Sequence, residues 1–137
     1  MGHGVRLLLA RAGLIGGLCL AAGPAGAASV FINEIHYDNS GGDAGEAVEI
    51  AGPVGTDLTD WALHFYNGND GTVYRSLDLS GALTGTSGDL GFLAVEPSFG
   101  IQNGAPDGLA LVDAGESVQE FLSYEGTITA SDGPALG

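Results

Sequence analysis

The chain has 137 residues, with 17 Asp and Glu against 3 Lys and Arg and a formal net charge of −14. A surface this acidic repels phosphate backbones and anionic bilayers, both of which are recognised through Lys and Arg, so direct nucleic-acid binding and electrostatic membrane attachment are disfavoured. A single cysteine rules out a disulfide framework, and the absence of any lysine rules out a Gly-x-x-x-x-Gly-Lys phosphate loop.

The first element in chain order is a leader. Arg6 and Arg11 mark a basic opening, Ala12 to Ala22 is an apolar run, and Ala25-Gly26-Ala27-Ala28 follows Pro24. The run is shorter than the roughly 20 residues that cross a bilayer. Small residues in an Ala-x-Ala arrangement suit a signal peptidase, so residues 1–27 are expected to be a signal peptide and 28–137 a secreted domain without a membrane span. Cys19 and His3 belong to the removed segment, and Leu18 is too bulky for a lipoprotein cleavage site. Export leaves Arg75 as the only fixed cation against all 17 acids. Such a charge suits solubility, cation binding, attraction to a basic partner or tolerance of salt.

Without disulfides the remaining domain must be held by its core, and its length suits one sandwich of about 100 residues. Seven apolar runs punctuated by Gly, Asn, Asp and Pro read as strands, with no helical period to compete. Val30 to Tyr37 is nearly continuous in apolar residues around Asn33 and Glu34, as in a strand covered on both faces or carrying a bulge. Glu46 to Ala51 alternates, with Val48 and Ile50 on one face. In the third run Trp61, Leu63 and Phe65 share a face expected to supply the aromatic content of the core, while Ala62, His64 and Tyr66 share the other.

Asn67 to Gly71 then supplies turn residues, and Thr72-Val73-Tyr74 resumes a strand, a hairpin signal. Val73, Leu77 and Leu79 are expected to point inward, with Arg75 on their face at a sheet edge where its head reaches water. Gly81 to Asp89 reads as a turn. Leu90 to Val95, Leu109 to Val112 and Val118 to Tyr124 complete the set, and the pattern predicts two packed antiparallel sheets.

Carboxylates cluster at Glu34, Asp38, Asp43, Glu46 and Glu49, and oxygen ligands on a loop suit calcium. Asp38, Asp43 and Glu46 are the candidate metal ligands. Their spacing departs from the helix-flanked calcium loop, and the plainer reading is a solvated acidic loop whose side chains cap backbone groups. Glu34 and Glu49, both within strands, would be costly neighbours if they faced each other without a shared proton or cation. His36 and His64 lack a second His or Cys at ligand spacing and read as structural. Trp61, Tyr37, Tyr66, Tyr74 and Tyr124 offer a carbohydrate platform, or more simply core and rim residues with polar tips at water. No serine sits in a Gly-x-Ser-x-Gly elbow, Ser87 lying in a loop of small residues.

The ordered succession FINEIHYD, an acidic Gly-containing loop, GEAVEIAG and TDLTDWALHFYN resembles the lamin tail domain, an immunoglobulin-like β-sandwich. The later stretches NGNDGTVY, GIQNGAPDGLALVD and EFLSYEG are similar to those in the copy at the N-terminus of bacterial extracellular nucleases of the endonuclease, exonuclease and phosphatase type. The resemblance runs from Val30 to about Gly133. It implies an all-β, immunoglobulin-like antiparallel sandwich and a non-catalytic role in attaching or orienting a protein or surface partner. Relatives of this kind continue beyond the segment matching SDGPALG with at least one more strand, so the resemblance also implies a sandwich short of its last strand, with an unpaired sheet edge. Two alternatives stay open: an N-terminal fragment of a secreted endonuclease whose catalytic residues have no counterparts here, and a calcium-dependent adhesion module.

Overall fold

A computed structural model describes residues 29–104 and 106–137, so the leader expected over residues 1–27 lies outside the described residues. Eight strands follow in order: β1 (Phe31–His36), β2 (Ala47–Pro53), β3 (Ala62–Asn67), β4 (Thr72–Asp78), β5 (Thr84–Ser87), β6 (Leu90–Val95), β7 (Asp107–Val112) and β8 (Val118–Tyr124). They form two antiparallel sheets, ordered β1-β2-β6-β5 and β4-β3-β7-β8. In immunoglobulin lettering these are A-B-E-D and C′-C-F-G, the sandwich expected.

The period-2 alternation does its work between the sheets. Leu63, Phe65, Leu109 and Leu111 of one sheet pack in a single cluster with Ile32, Val48 and Ile50 of the other. Each large apolar side chain buried this way contributes about 1.5–3 kcal/mol. Leu58 and Leu83 close one end of the cluster from outside the main strands, pinned by Leu58 N–H to Gly81 O at 2.8 Å and Leu83 N–H to Thr56 O at 2.9 Å. Phe65 makes edge-to-face contacts with Phe99 and Tyr74, at centroid distances of 5.2 and 6.2 Å.

Four expectations need correction. The stretch from Gly81 to Asp89 is not only a turn: it holds β5, a short edge strand paired to β6 through Thr84↔Phe92 and Ser87↔Leu90. Thr84, Gly85 and Ser87 are all exposed, so no apolar side chain announced the strand. Trp61 precedes β3 and is only half-buried against the core, where Phe65 holds the central place.

Val73 does not point inward. A bulge in β4 shifts the register between the pairs Phe65↔Arg75 and Tyr66↔Val73, which turns Tyr74 toward the core and Val73 to the outer face. Arg75 does keep the edge position expected of it, with its guanidinium carbon 5.9 Å from the Phe99 ring centre.

Tyr66 is the fourth. β8 pairs with β7 at the edge of its sheet, and the segment after it folds back over the outer face of the same sheet. Along the opposite edge, Ser131 N–H donates to Gly71 O at 2.8 Å and Asp132 Oδ1 accepts from Val73 N–H at 2.7 Å, so a carboxyl takes a donor that a neighbouring strand would otherwise take. Ala130, Ile128 and Ala135 then cover Tyr66, which is fully buried with its hydroxyl accepting from Ala135 N–H at 3.1 Å. Tyr66 is thus not a rim residue with its tip at water.

Candidate functional site

Three connections converge at one end of the sandwich: the β1–β2 loop, the β3–β4 turn and the β6–β7 loop. The turn is built by local polar chemistry. Asn67 Oδ1 accepts from Asn69 N–H at 2.8 Å, Asp70 Oδ1 accepts from both the N–H and hydroxyl of Thr72, and Gly71 takes φ +73° to close it. Those two bonds hold the Asp70 carboxyl below the usual carboxylate range. Gly68 lets the turn press against the β6–β7 loop, because a Cβ there would overlap the Pro106 carbonyl.

The β6–β7 loop is anchored from below. Glu46 Oε2 accepts from Ile101 N–H at 2.7 Å, Tyr74 Oη accepts from Gln102 N–H at 3.0 Å, and the Tyr124 hydroxyl donates to Gln102 O at 2.9 Å. Tyr37 stacks obliquely on Tyr124 with ring centres 4.6 Å apart. Burial pushes the Tyr74 and Tyr124 phenols up, and for Tyr124 the neighbouring Tyr74 and Asp107 add to the rise. Both rings therefore stay neutral across the ordinary pH range.

Between turn and loop lies a depression of about 270 Å³ lined by Asn67, Asn69, Gln102, Asn103, Pro106 and Asp107. Asp107 opens β7 and is only 3% exposed. Its Oδ1 accepts from Gly68 N–H at 2.9 Å, while its buried Oδ2 has no hydrogen-bond partner among the described residues. A buried acceptor left without a donor costs about 1–3 kcal/mol, so the fold holds this oxygen in place at a cost. The lining combines one carboxyl with four carboxamides and holds no cation.

The candidate ligands Asp38, Asp43 and Glu46 lie beside this end but do not converge as a set. Asp38 and Asp43 meet around the Asn103 amide, at 3.4 and 3.5 Å, while Glu46 is turned to the Ile101 amide. Among the described residues no group of three or more His, Cys, Asp or Glu side chains is close enough to hold a metal ion. Glu34 and Glu49 do face each other across β1 and β2, and Asn33, at the β1 bulge, donates to Glu49 Oε1 at 2.6 Å.

The histidines are apart. His36 bonds Asn39 at 3.1 Å, and His64, paired across strands with Ser76 at 2.9 Å, is pushed down by burial against a smaller opposing effect of Asp78. His64 lines a groove of about 470 Å³ with Asp60, Asp78, Asp113 and Glu116. The aromatic residues do not form one platform either: Tyr37, Tyr74 and Tyr124 gather at the loop end, whereas Tyr66 packs edge-to-face on Phe121 under the folded-back segment.

Asp107 is the residue that pattern reading missed. The signal available was a single acid directly after Pro106 and ahead of Gly-Leu-Ala-Leu-Val, an odd opening for a strand buried along its whole length. No protein-family profile, curated protein or solved structure matches this chain.

Proposed function

We propose that this chain is an exported, non-catalytic binding module of lamin-tail type that attaches to a protein or surface partner through the loop end of its sandwich. The observation that carries the reading is the depression at the loop end, lined by the carboxamides of Asn67, Asn69, Gln102 and Asn103 and by Asp107. A rigid scaffold presenting polar groups on connecting loops is the usual arrangement for recognition. The acidity of the chain favours a basic partner and speeds its encounter. Among the described residues lining the depression, the polar side chains are the four carboxamides and the Asp107 carboxyl.

The test uses the labelled full chain on the cells that produce it. Attachment is expected to fall about tenfold in the double variant Asn69→Ala, Asn103→Ala, a loss of about 1.4 kcal/mol. Undiminished attachment of that variant would remove the loop end from the reading. Hydrolysis of a phosphodiester by the purified chain would overturn its non-catalytic part.

A further inference from the structure

We infer that Asn103 is a site of spontaneous deamidation, through which the folded chain converts one carboxamide of its loop end into a carboxyl and frees the tip of the β1–β2 loop. The chemistry does not depend on the attachment proposed above. It follows from two Asn–Gly pairs, Asn67–Gly68 and Asn103–Gly104, that the fold treats in opposite ways. In such a pair the backbone nitrogen of the glycine, once a base has taken its proton, adds to the Asn Cγ. The N–Cγ bond forms, the Cγ–Nδ2 bond breaks, and Nδ2 leaves as ammonia with a proton from water. Water then opens the cyclic imide at either carbonyl, giving aspartate or an isoaspartyl link whose main chain runs through Cβ and Cγ. Glycine favours the step because it has no Cβ to crowd the attack and lets the backbone turn into it.

Asn67 is held out of this reaction. It ends β3, its main-chain oxygen accepts from Gly71 N–H at 2.7 Å and its Oδ1 accepts from Asn69 N–H at 2.8 Å. The proton that the attacking nitrogen must lose is itself engaged, because Gly68 N–H donates to Asp107 Oδ1 at 2.9 Å. The close approach of Gly68 to the Pro106 carbonyl leaves this backbone no room to rotate. Asn103 has none of these restraints. Asn103 and Gly104 are both exposed, a Cβ at Gly104 would meet nothing within 4 Å, and no hydrogen bond engages the Gly104 N–H among the described residues. The side chain is lightly tied, with Nδ2 reaching Asp38 Oδ1 at 3.4 Å and Asp43 Oδ2 at 3.5 Å.

Those two contacts give the modification its consequence. Nδ2 is the donor that both carboxyls share, and after deamidation an oxygen stands in its place, so three carboxyls meet with no donor among them. Like charges brought that close disfavour one another. The base of the loop is unaffected, because Glu46 Oε2 still accepts from Ile101 N–H at 2.7 Å. What separates from the β6–β7 loop is the tip that carries Asp38 and Asp43, and it does so irreversibly, at a rate set by elapsed time and by pH.

The experiment ages the purified full chain at neutral and at mildly alkaline pH and follows each asparagine by peptide mapping and mass spectrometry, with isoaspartyl links read by enzymatic methylation. Asn103 is expected to convert at least about tenfold faster than Asn67, a difference of about 1.4 kcal/mol in barrier, and faster at the higher pH. Unfolding in urea is expected to bring the two rates together. Gly104→Val, whose side chain enters open space, is expected to keep the fold and to slow Asn103 by about tenfold. Equal rates in the folded chain, faster conversion of Asn67, a difference undiminished in urea, or an unslowed Gly104→Val would each overturn the assignment. In Asn103→Asp, which carries the product carboxyl from the start, the Asp38 and Asp43 amide resonances are expected to move while those of Leu63 and Leu109 stay. Unmoved Asp38 and Asp43 resonances would refute the release of the loop tip.

Discussion

The two faces of the β4-β3-β7-β8 sheet are buried by different means. Its inner face meets another sheet, and Leu63, Phe65, Leu109 and Leu111 are wholly enclosed by residues that are themselves held in ladders. Its outer face, with Tyr66, Ala110 and Val112, is covered by a segment that has no strand of its own and is fastened by a handful of bonds: Ser131 N–H to Gly71 O, Ser131 Oγ–H to Asp70 O, Val73 N–H to Asp132 Oδ1 and Ala135 N–H to Tyr66 Oη. β7, caught between the two, is buried at all six positions. Burial fraction alone does not separate the faces. What separates them is how many cooperative bonds must break before water enters, which sets whether a region opens locally or only with the whole domain.

The strongest test compares neighbours on opposite faces. Phe65→Ala opens a cavity that no element can leave to relieve, and is expected to cost about 3–5 kcal/mol, a large part of the stability of a domain of this kind. Tyr66→Ala removes a side chain equally buried, yet the covering segment can detach in place of enclosing a void. Its cost is expected to be about 3 kcal/mol or less, because the cost of such a substitution depends on how well the site collapses. Urea unfolding of the two variants decides it; equal losses would mean that the outer cover is as integral as the inner core.

A smaller effect sharpens the same contrast. Asp132→Ala removes an acceptor from an edge strand, and a hydrogen bond to a charged group is worth about 1.5 kcal/mol. Amide exchange is expected to accelerate at Val73 and Ser131 while Leu63 and Leu109 keep their protection. Acceleration across all four would show that the cover and the sandwich open as one unit.

The same division explains what could be read from the sequence. Alternation places residues on faces, and it identified Val48 with Ile50 and Leu63 with Phe65 correctly because each pair faces a second sheet. It carries no information about a strandless segment returning from far along the chain, so Tyr66 looked like a rim residue and Val73 like a core one. The β4 bulge at Tyr74 is likewise invisible to a period of two, since one extra residue reverses every later assignment. β5 escaped notice because an exposed edge strand of Thr, Gly and Ser has no apolar side to display. At the loop end, the acids in the β1–β2 loop drew attention by number, but the geometry puts the unpartnered oxygen on Asp107, more than sixty residues away in sequence. Its significance arises from the close approach of Gly68 to Pro106, a contact that no local pattern encodes.

The smallest effect concerns the phenols, and here the two regions differ in the direction of their hydrogen bonds. Tyr124, in the inner core, donates its proton to Gln102 O, so ionisation breaks that bond; Tyr66, under the outer cover, accepts from Ala135 N–H, and a phenolate there would keep it. Burial raises both, but the backbone donor pulls Tyr66 back down while Tyr74 and Asp107 push Tyr124 further up. A raised folded-state pKa favours the protonated form in the native state, so this contribution is fully present below about pH 10, the unfolded value, and is lost as pH climbs above it. Near pH 7 Tyr124→Phe is expected to cost about 1 kcal/mol for the lost hydrogen bond. Above pH 10 the wild type loses up to about 1.4 kcal/mol per pH unit through this one proton, a slope the variant lacks, so the gap between the two narrows and then reverses. Tyr66→Phe should flatten the alkaline slope less. Melting curves between pH 8 and 11.5 read both slopes, and a Tyr66 variant that flattened the slope more than the Tyr124 variant would invert the assignment of which phenol the fold holds neutral more firmly.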